Sequence, residues 1–304
     1  MKSSMSRKKR PWRPICPPGW TLSRAEWLPL VLLLAAGGCA TIYNPATQRQ
    51  ETLLSTSVEL ALGQLARTQM GLGELTKGRV TPEEFQRVQR IGQQIARVSD
   101  RQDLRYQFGV IRHKTPNAFT LPGGTIYVHT GILDMADDDE LAAVIAHEVG
   151  HVAARHIVKH LQADLGFAVA MQIAGSAGAT GEAVRVANSL YTLFSRGYSR
   201  RDELEADRLS IRYTRRAGFD PWAIIRFFEK MLAQERQTRA DRAAVWQSSH
   251  PMTSERIAKA RQILESEGPS KFCPECGRSY PAQAEFCVRD GIALKTAVSP
   301  GGSR

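Results

Sequence analysis

The stretch His147-Glu148-Val149-Gly150-His151 puts two imidazoles and a carboxylate within five residues. Leu141, Val144, Ile145, Val149 and Val152 recur around it at helical spacing. Residues four apart lie about 40° apart around a helix, so both histidines can face one metal ion. Glu148, offset by about 100°, can reach a water on that ion. A catalytic zinc needs a third protein ligand and one open position. In Tyr198-Ser199-Arg200-Arg201-Asp202-Glu203-Leu204-Glu205-Ala206-Asp207, Glu203 and Asp207 share a helix face. Glu205 points about 200° away from both. One carboxylate of the pair can bind the ion while the other accepts a ring N–H from a ligating histidine, fixing its tautomer and raising its basicity. We assign Glu203 as the ligand and Asp207 as that partner. In a continued helix His156 and His160 project about 180° and 220° from His147, on the opposite face, and are assigned structural or solvent-facing places.

These residues need a scaffold of helices and a small sheet. Asp137 to Glu140 suit the N-terminus of the His147 helix, and Ala142, Ala143, Ala146, Ala153 and Ala154 permit close packing. Thr81-Pro82-Glu83-Glu84 reads as a capping box with proline at the first helical position, followed by the stripe Phe85, Val88, Ile91, Ile95 and Val98. Tyr106, Phe108 and Val110 alternate as a strand does, and Pro116-Asn117 and Pro122-Gly123-Gly124 turn the chain around Ala118-Phe119-Thr120 and Ile126-Tyr127-Val128. Residues 44–78 read as a polar start and a helix, 199–217 as a helix stopped by Gly218, and 253–265 as a last helix. Asp220-Pro221 caps a further helix. The small-residue stretch Leu165–Gly181 reads as a buried or mobile helix.

The 304 residues are 42% hydrophobic and 23% charged, which fits a globular protein and excludes wholesale disorder. No proline-free, charge-free run is long enough for a polytopic membrane protein. The net charge is +11, but residues 1–38 carry seven basic residues and one acid. Their removal leaves +5, too diffuse to call for a nucleic-acid partner. The basic start, the apolar stretch Leu28–Ala36 and Gly37-Gly38-Cys39 describe an export signal. The small residues before Cys39 resemble a bacterial lipobox, with Ala36 where leucine is usual. That resemblance implies lipidation of Cys39 and anchoring at the cell envelope; Ala40 after it fits the periplasmic face of the outer membrane.

Asn117–Leu133, Asp139–His156, Tyr198–Asp207, Gly218–Pro221 and Ser249–Arg256 follow one another as NAFTLPGGTIYVHTGIL, DELAAVIAHEVGHVAARH, YSRRDELEAD, GFDP and SHPMTSER. In this order they resemble the bacterial M48 zinc peptidases, in particular the periplasmic, outer-membrane-linked branch. The similarity runs from about residue 50 to 266. It implies an α+β, mainly helical gluzincin domain with zinc on His147, His151 and Glu203 and with Glu148 as base. It further implies that His250 is a regulatory ligand or transition-state contact, that Arg256 donates to substrate or oxyanion, and that Asn117, Ala118 and Phe119 take an extended peptide by strand addition. The chemistry expected is hydrolysis of peptide bonds in unfolded or misassembled envelope proteins. A latent, chaperone-like zinc protein is the alternative, and an intracellular regulator would require an uncleaved N-terminus.

Cys273, Cys276, Cys287 and Asp290 have the spacing C-x2-C, ten residues, C-x2-D, which resembles a small zinc ribbon with an aspartate as fourth ligand. An oxidising envelope would instead favour a Cys273–Cys276 disulfide. The expected organisation is a leader (1–38), a tether and helix (39–78), the peptidase domain (79–266), a ribbon-like module (271–293) and a disordered tail (294–304).

Overall fold

The computed structural model describes residues 39–72, 74–165, 188, 189, 192, 197–237, 250, 251, 254–266, 271–275, 279, 280, 285–287 and 291–296. The expected leader, the stretch from 166 to 181, Cys276, Asp290 and residues 297–304 lie outside them.

The described chain begins with a hairpin, β1 (Cys39–Asn44) and β2 (Arg49–Leu54), paired antiparallel. This differs from the polar start expected there. Asn44 Oδ1 accepts from the Ala46 amide at 3.0 Å, and Gln48 sits at φ 56°, so Asn44-Pro45 was a turn signal between two short strands. Helix α1 (Thr56–Gln69) follows, capped by Ser55. Strand β3 (Thr76–Lys77) leads to α2 (Pro82–Ala96), where Thr81 and Glu84 exchange both capping-box hydrogen bonds.

The main sheet has the order β3, β4 (Gln107–Ile111), β6 (Thr125–His129), β5 (Ala118–Leu121). Its first three strands are parallel; β5 returns antiparallel to β6 and forms one edge. The β5–β6 turn needs Gly123 and Gly124, at φ 81° and 85°. A short helix α3 (Thr130–Leu133) then feeds α4 (Asp138–Ala153), the helix that carries the histidine motif. Asp137 and Glu140 form its capping box, and every residue from Glu140 to Ala153 is buried.

Helix α4 is enclosed by α2, β5, α6 (Arg200–Arg216) and α7 (Ala223–Gln237), with α6 its most extensive neighbour. Gly150 permits that approach: a Cβ there would lie 3.2 Å from both the Ala206 carbonyl oxygen and the Leu209 Cβ. Ser210 Oγ donates to the Ala143 carbonyl at 2.7 Å across the same contact. Helix α8 (Ser254–Ser266) closes the other side of α6. The main core joins Val88, Ile91 and Ile95 of α2 to Phe108 and Val110 of β4 and to Phe227 and Phe228 of α7. None of the described helices is long and apolar enough to cross a membrane.

After Ala153 the chain does not continue as one helix. Arg155 takes φ 57°, and α5 (His156–Leu165) starts in a new direction. At the C-terminus β7 (Lys271–Phe272), β8 (Ser279–Tyr280) and β9 (Lys295–Thr296) make a small antiparallel sheet around Cys273, Tyr280 and Cys287. Lys295 and Thr296 pair with β7, so the module extends past the boundary expected at 293.

Candidate metal centre

Helix α6 buries two carboxylates, Glu203 and Asp207, on the face that also presents Ala206 and Ser210 to α4. Burying unpaired carboxylates in a helix interface costs several kcal/mol each, on the order of what folding can tolerate in total. Their partners explain the placement. His147 and His151 point from α4 at the same spot, with their Nε2 atoms 3.0 Å apart. Glu203 reaches both from α6, Oε2 lying 3.5 Å from His147 Nε2 and Oε1 3.5 Å from His151 Nε2. His250 enters from the segment before α8, its Nδ1 2.9 Å from Glu203 Oε1 and 3.3 Å from His147 Nε2. One ligand atom from each of these four side chains falls within a 4.8 Å cluster, and all four are buried. Three imidazole nitrogens and a carboxylate oxygen are a donor set that zinc takes tetrahedrally. The residues present therefore fit a zinc ion.

Glu148 lies beside this cluster and is completely buried. Neither of its oxygens has a hydrogen-bond partner among the described residues, although His250 Nε2 is 3.3 Å from Oε1. Burial pushes its pKa up, against the opposing pull of His250 and His147. A buried carboxylate with raised pKa is suited to take and return a proton. Burial also holds His151 well below the ordinary histidine value. Burial works the same way on His147, but hydrogen bonds to Asp207 and Glu203 outweigh it and raise the pKa to about 9. For Glu203, burial is overcome by His250 and Arg256, which hold the carboxyl well below its usual range.

Asp207 Oδ1 lies 3.0 Å from His147 Nδ1, the ring nitrogen turned away from the cluster. Arg256 does not face an open position as expected. Its guanidinium, 1% exposed, donates to both Asp207 oxygens at 2.8 and 2.7 Å, to the Pro251 carbonyl at 3.2 Å, and lies 2.6 Å from Glu203 Oε2. Its forked geometry matches two carboxylates already in place, so it clasps the site instead of reaching for a substrate.

The expectation for His156 also changes. The break at Arg155 turns His156 back beneath the motif, with its Nδ1 2.9 Å from His151 Nδ1. It is buried, and it is on the site's side of the molecule, contrary to the continued-helix geometry. His160 is half-buried and pairs with Asp164 at 3.1 Å, away from the cluster. The Tyr198 ring stacks on His151 with centroids 3.8 Å apart. Nothing in the residue spacing signals that contact, because it depends on how the chain enters α6.

Asn117, Ala118 and Phe119 lie at the edge of the sheet among the described residues, with β5 against α4. The Asn117 carbonyl accepts from the His129 amide at 2.8 Å, Ala118 packs into the core and Phe119 stacks on Tyr127. Cys273 and Cys287 are buried together, with Tyr280 Oη 3.0 Å from Cys287 Sγ. Cys39 opens β1, and nothing beyond its backbone is described.

Comparison with known proteins agrees with this geometry. The chain is 34% identical over 191 residues to the mitochondrial metalloendopeptidase OMA1 of Schizosaccharomyces pombe, covering 62% of this chain and 56% of that protein. It is 34% identical over 164 residues to the metalloprotease LoiP of Escherichia coli, covering 53% of this chain and 64% of that one. With the beta-barrel assembly-enhancing protease of Escherichia coli it shares 29% over 179 residues, 54% of this chain and 35% of the other. The chain therefore spans between about a third and two thirds of the length of these relatives. Residues 82–264, which hold both motif histidines, Glu148, Glu203, Asp207, His250 and Arg256, match the profile of peptidase family M48, and over that span the chain belongs to that family.

Proposed function

We propose that this protein is a zinc-dependent metalloendopeptidase acting on unfolded or misassembled proteins of the cell envelope. The observation that carries this reading is the buried cluster of His147, His151, Glu203 and His250 with the buried carboxylate of Glu148 beside it. When bound, zinc supplies Lewis acidity and brings the pKa of water from 15.7 down to about 7. Glu148 accepts the proton of the attacking water and returns it to the leaving amine. Asp207 holds His147 by its outer nitrogen, and Arg256 holds Asp207 and Glu203. His250 lies within the ligand cluster, where it serves as an oxyanion donor or as an inhibiting fourth ligand. The substrate lies extended along β5 at Asn117, Ala118 and Phe119, adding a strand to the free edge.

A second reading has its own support. His250 is within the ligand cluster, and a fourth protein ligand closes a tetrahedral site. In that state the protein is latent and serves as a zinc-binding, chaperone-like factor. Cleavage of casein with and without chelator, by wild type, Glu148→Gln and His250→Ala, separates the two. Lack of chelator-sensitive cleavage by both wild type and His250→Ala would refute the peptidase reading.

The same proposal places the mature chain at the periplasmic face of the outer membrane through a lipid on Cys39, with no nucleic-acid partner. Mass spectrometry of the mature N-terminus tests it: a diacylglycerol adduct on Cys39 is expected. A second, structural zinc on Cys273, Cys276, Cys287 and Asp290 is also proposed. Metal analysis should find two zinc ions, one lost in His147→Ala and the other in Cys273→Ser.

A further inference from the structure

We infer that His156 is a positioning residue for the metal centre: it fixes the tautomer of His151, so that His151 Nε2 is free to bind the ion. The inference rests on the zinc reading above. His151 Nε2 faces His147 and Glu203, and its Nδ1 faces His156 Nδ1 at 2.9 Å. One of two nitrogens in contact at that distance must carry a proton and the other a lone pair. A ligating His151 offers the Nε2 lone pair, which leaves its proton on Nδ1, donated to His156. His156 then accepts at Nδ1 and carries its own proton on Nε2. Among the described residues that nitrogen faces two acceptors, Glu205 Oε2 at 3.3 Å and Asp202 Oδ1 at 3.5 Å, both from α6. The direction of the whole chain is thus set by the two carboxylates at its end.

The two motif histidines are consequently held by different means. The outer nitrogen of His147 lies 3.0 Å from a carboxylate oxygen of Asp207, whereas His151 reaches its carboxylates through one imidazole. Such outer contacts typically change metal affinity 10- to 100-fold when removed, of the order expected here.

The backbone is built to supply this contact. Without the break at Arg155 a continued helix would carry His156 to the far face of α4. Arg155 stays at φ 57° with its guanidinium tied to the Leu54 carbonyl at 3.1 Å and Thr56 Oγ1 at 3.2 Å. Beside it Arg101 donates to the Val152 carbonyl, at the end of the helix, at 3.2 Å, and pairs with Glu59 at 2.6 Å. These bonds fix the break from α1 and from the loop after α2. His151 is stacked on its other side by Tyr198, so its ring has few ways to reorient.

The test measures zinc affinity by chelator competition on the full chain, with metal-free urea unfolding run in parallel. His156→Leu keeps the volume and removes the acceptor; His156→Gln keeps an acceptor for His151 and a donor for Glu205. We expect zinc binding to weaken by about 10- to 100-fold in His156→Leu and by only a few-fold in His156→Gln. In the zinc-loaded wild type, nitrogen-15 NMR should show the His151 proton on Nδ1. Glu205→Ala, checked for folding by the same urea unfolding, should weaken zinc in the same direction. Equal affinity in wild type and His156→Leu would overturn the role of His156 alone, as would equal losses in His156→Leu and His156→Gln. A wild type that binds no zinc at this site would overturn the metal reading itself, and this inference with it.

Discussion

Arg256 and Asp207 form a two-pronged pair inside the protein, Nε to Oδ2 at 2.8 Å and a terminal nitrogen to Oδ1 at 2.7 Å. Asp207 Oδ1 is also 3.0 Å from His147 Nδ1. The pair links α8 to α6, and through His147 to α4, so the metal cluster and the packing of three helices depend on one guanidinium. Burial favours loss of its charge, but Asp207 and Glu203 more than reverse that and raise the Arg256 pKa.

Replacing Arg256 by alanine should therefore act first on stability. It leaves two buried carboxylates without their cation, and breaking a buried pair in this way costs about 3–5 kcal/mol. Urea unfolding of metal-free protein reads that loss. Arg256→Lys keeps the charge but not the fork and should lose part of it. An unchanged unfolding midpoint in Arg256→Ala, with kcat reduced, would instead return Arg256 to the substrate-facing role read from the sequence.

Glu148→Gln is expected to keep zinc and lose turnover. The carboxylate is not among the clustered ligand atoms, so removing its charge spares the donor set. Loss of general-base catalysis typically lowers kcat by about 10²- to 10⁴-fold. Zinc stoichiometry and casein cleavage, measured on the same sample, check both halves. Chelator-sensitive cleavage at the wild-type rate would remove Glu148 from the reaction.

Much of this centre was legible because local periodicity carried it. His147 and His151 four apart, Glu203 and Asp207 four apart, and the capping signals at Thr81 and Asp137 are all statements about single helices. What failed was extrapolation through a break. A helix continued past Ala153 puts His156 on the opposite face, and the break there uses a non-glycine residue, Arg155, at positive φ. Its causes are contacts to Leu54 and Thr56, about a hundred positions upstream, which no local pattern encodes. The contacts of Arg256 are non-local in the same way: the residues it clasps, Asp207 and Glu203, are 49 and 53 positions away. The hairpin of residues 39–54 has strands without a clear alternation, so only its Asn44-Pro45 turn marks it in the sequence.

His129 gives a pH dependence away from the metal. At the end of β6 it is buried, with Nδ1 3.1 Å from the Thr115 carbonyl and the His113 ring 4.9 Å away. Burial lowers its pKa to about 4; the Thr115 carbonyl opposes this and His113 adds to it. A folded pKa below the unfolded value of about 6.5 means the unfolded chain binds the proton more readily. The stability this group supports is complete above about pH 6.5 and is lost as pH falls towards about 4, on the order of 3 kcal/mol in all. Urea unfolding between pH 7 and 4 should show a shallower decline in His129→Gln than in wild type. Identical slopes would show that His129 does not titrate this way.

His250→Ala separates an assisting histidine from an inhibiting one. His250 is 1% exposed, and its ring lies against His147, His151 and Tyr198 at centroid distances of 5.1, 5.2 and 5.5 Å. A group so placed excludes a substrate carbonyl from the ion while it remains there. The variant keeps His147, His151 and Glu203, three ligands that suffice for a catalytic zinc with one open position. It should therefore retain one zinc at this site and cleave casein several-fold faster than wild type, still under chelator control. Removing a donor to the oxyanion would have the opposite effect, lowering kcat by about 10²-fold or more. The sign of the change in kcat at unchanged zinc content decides which role His250 plays.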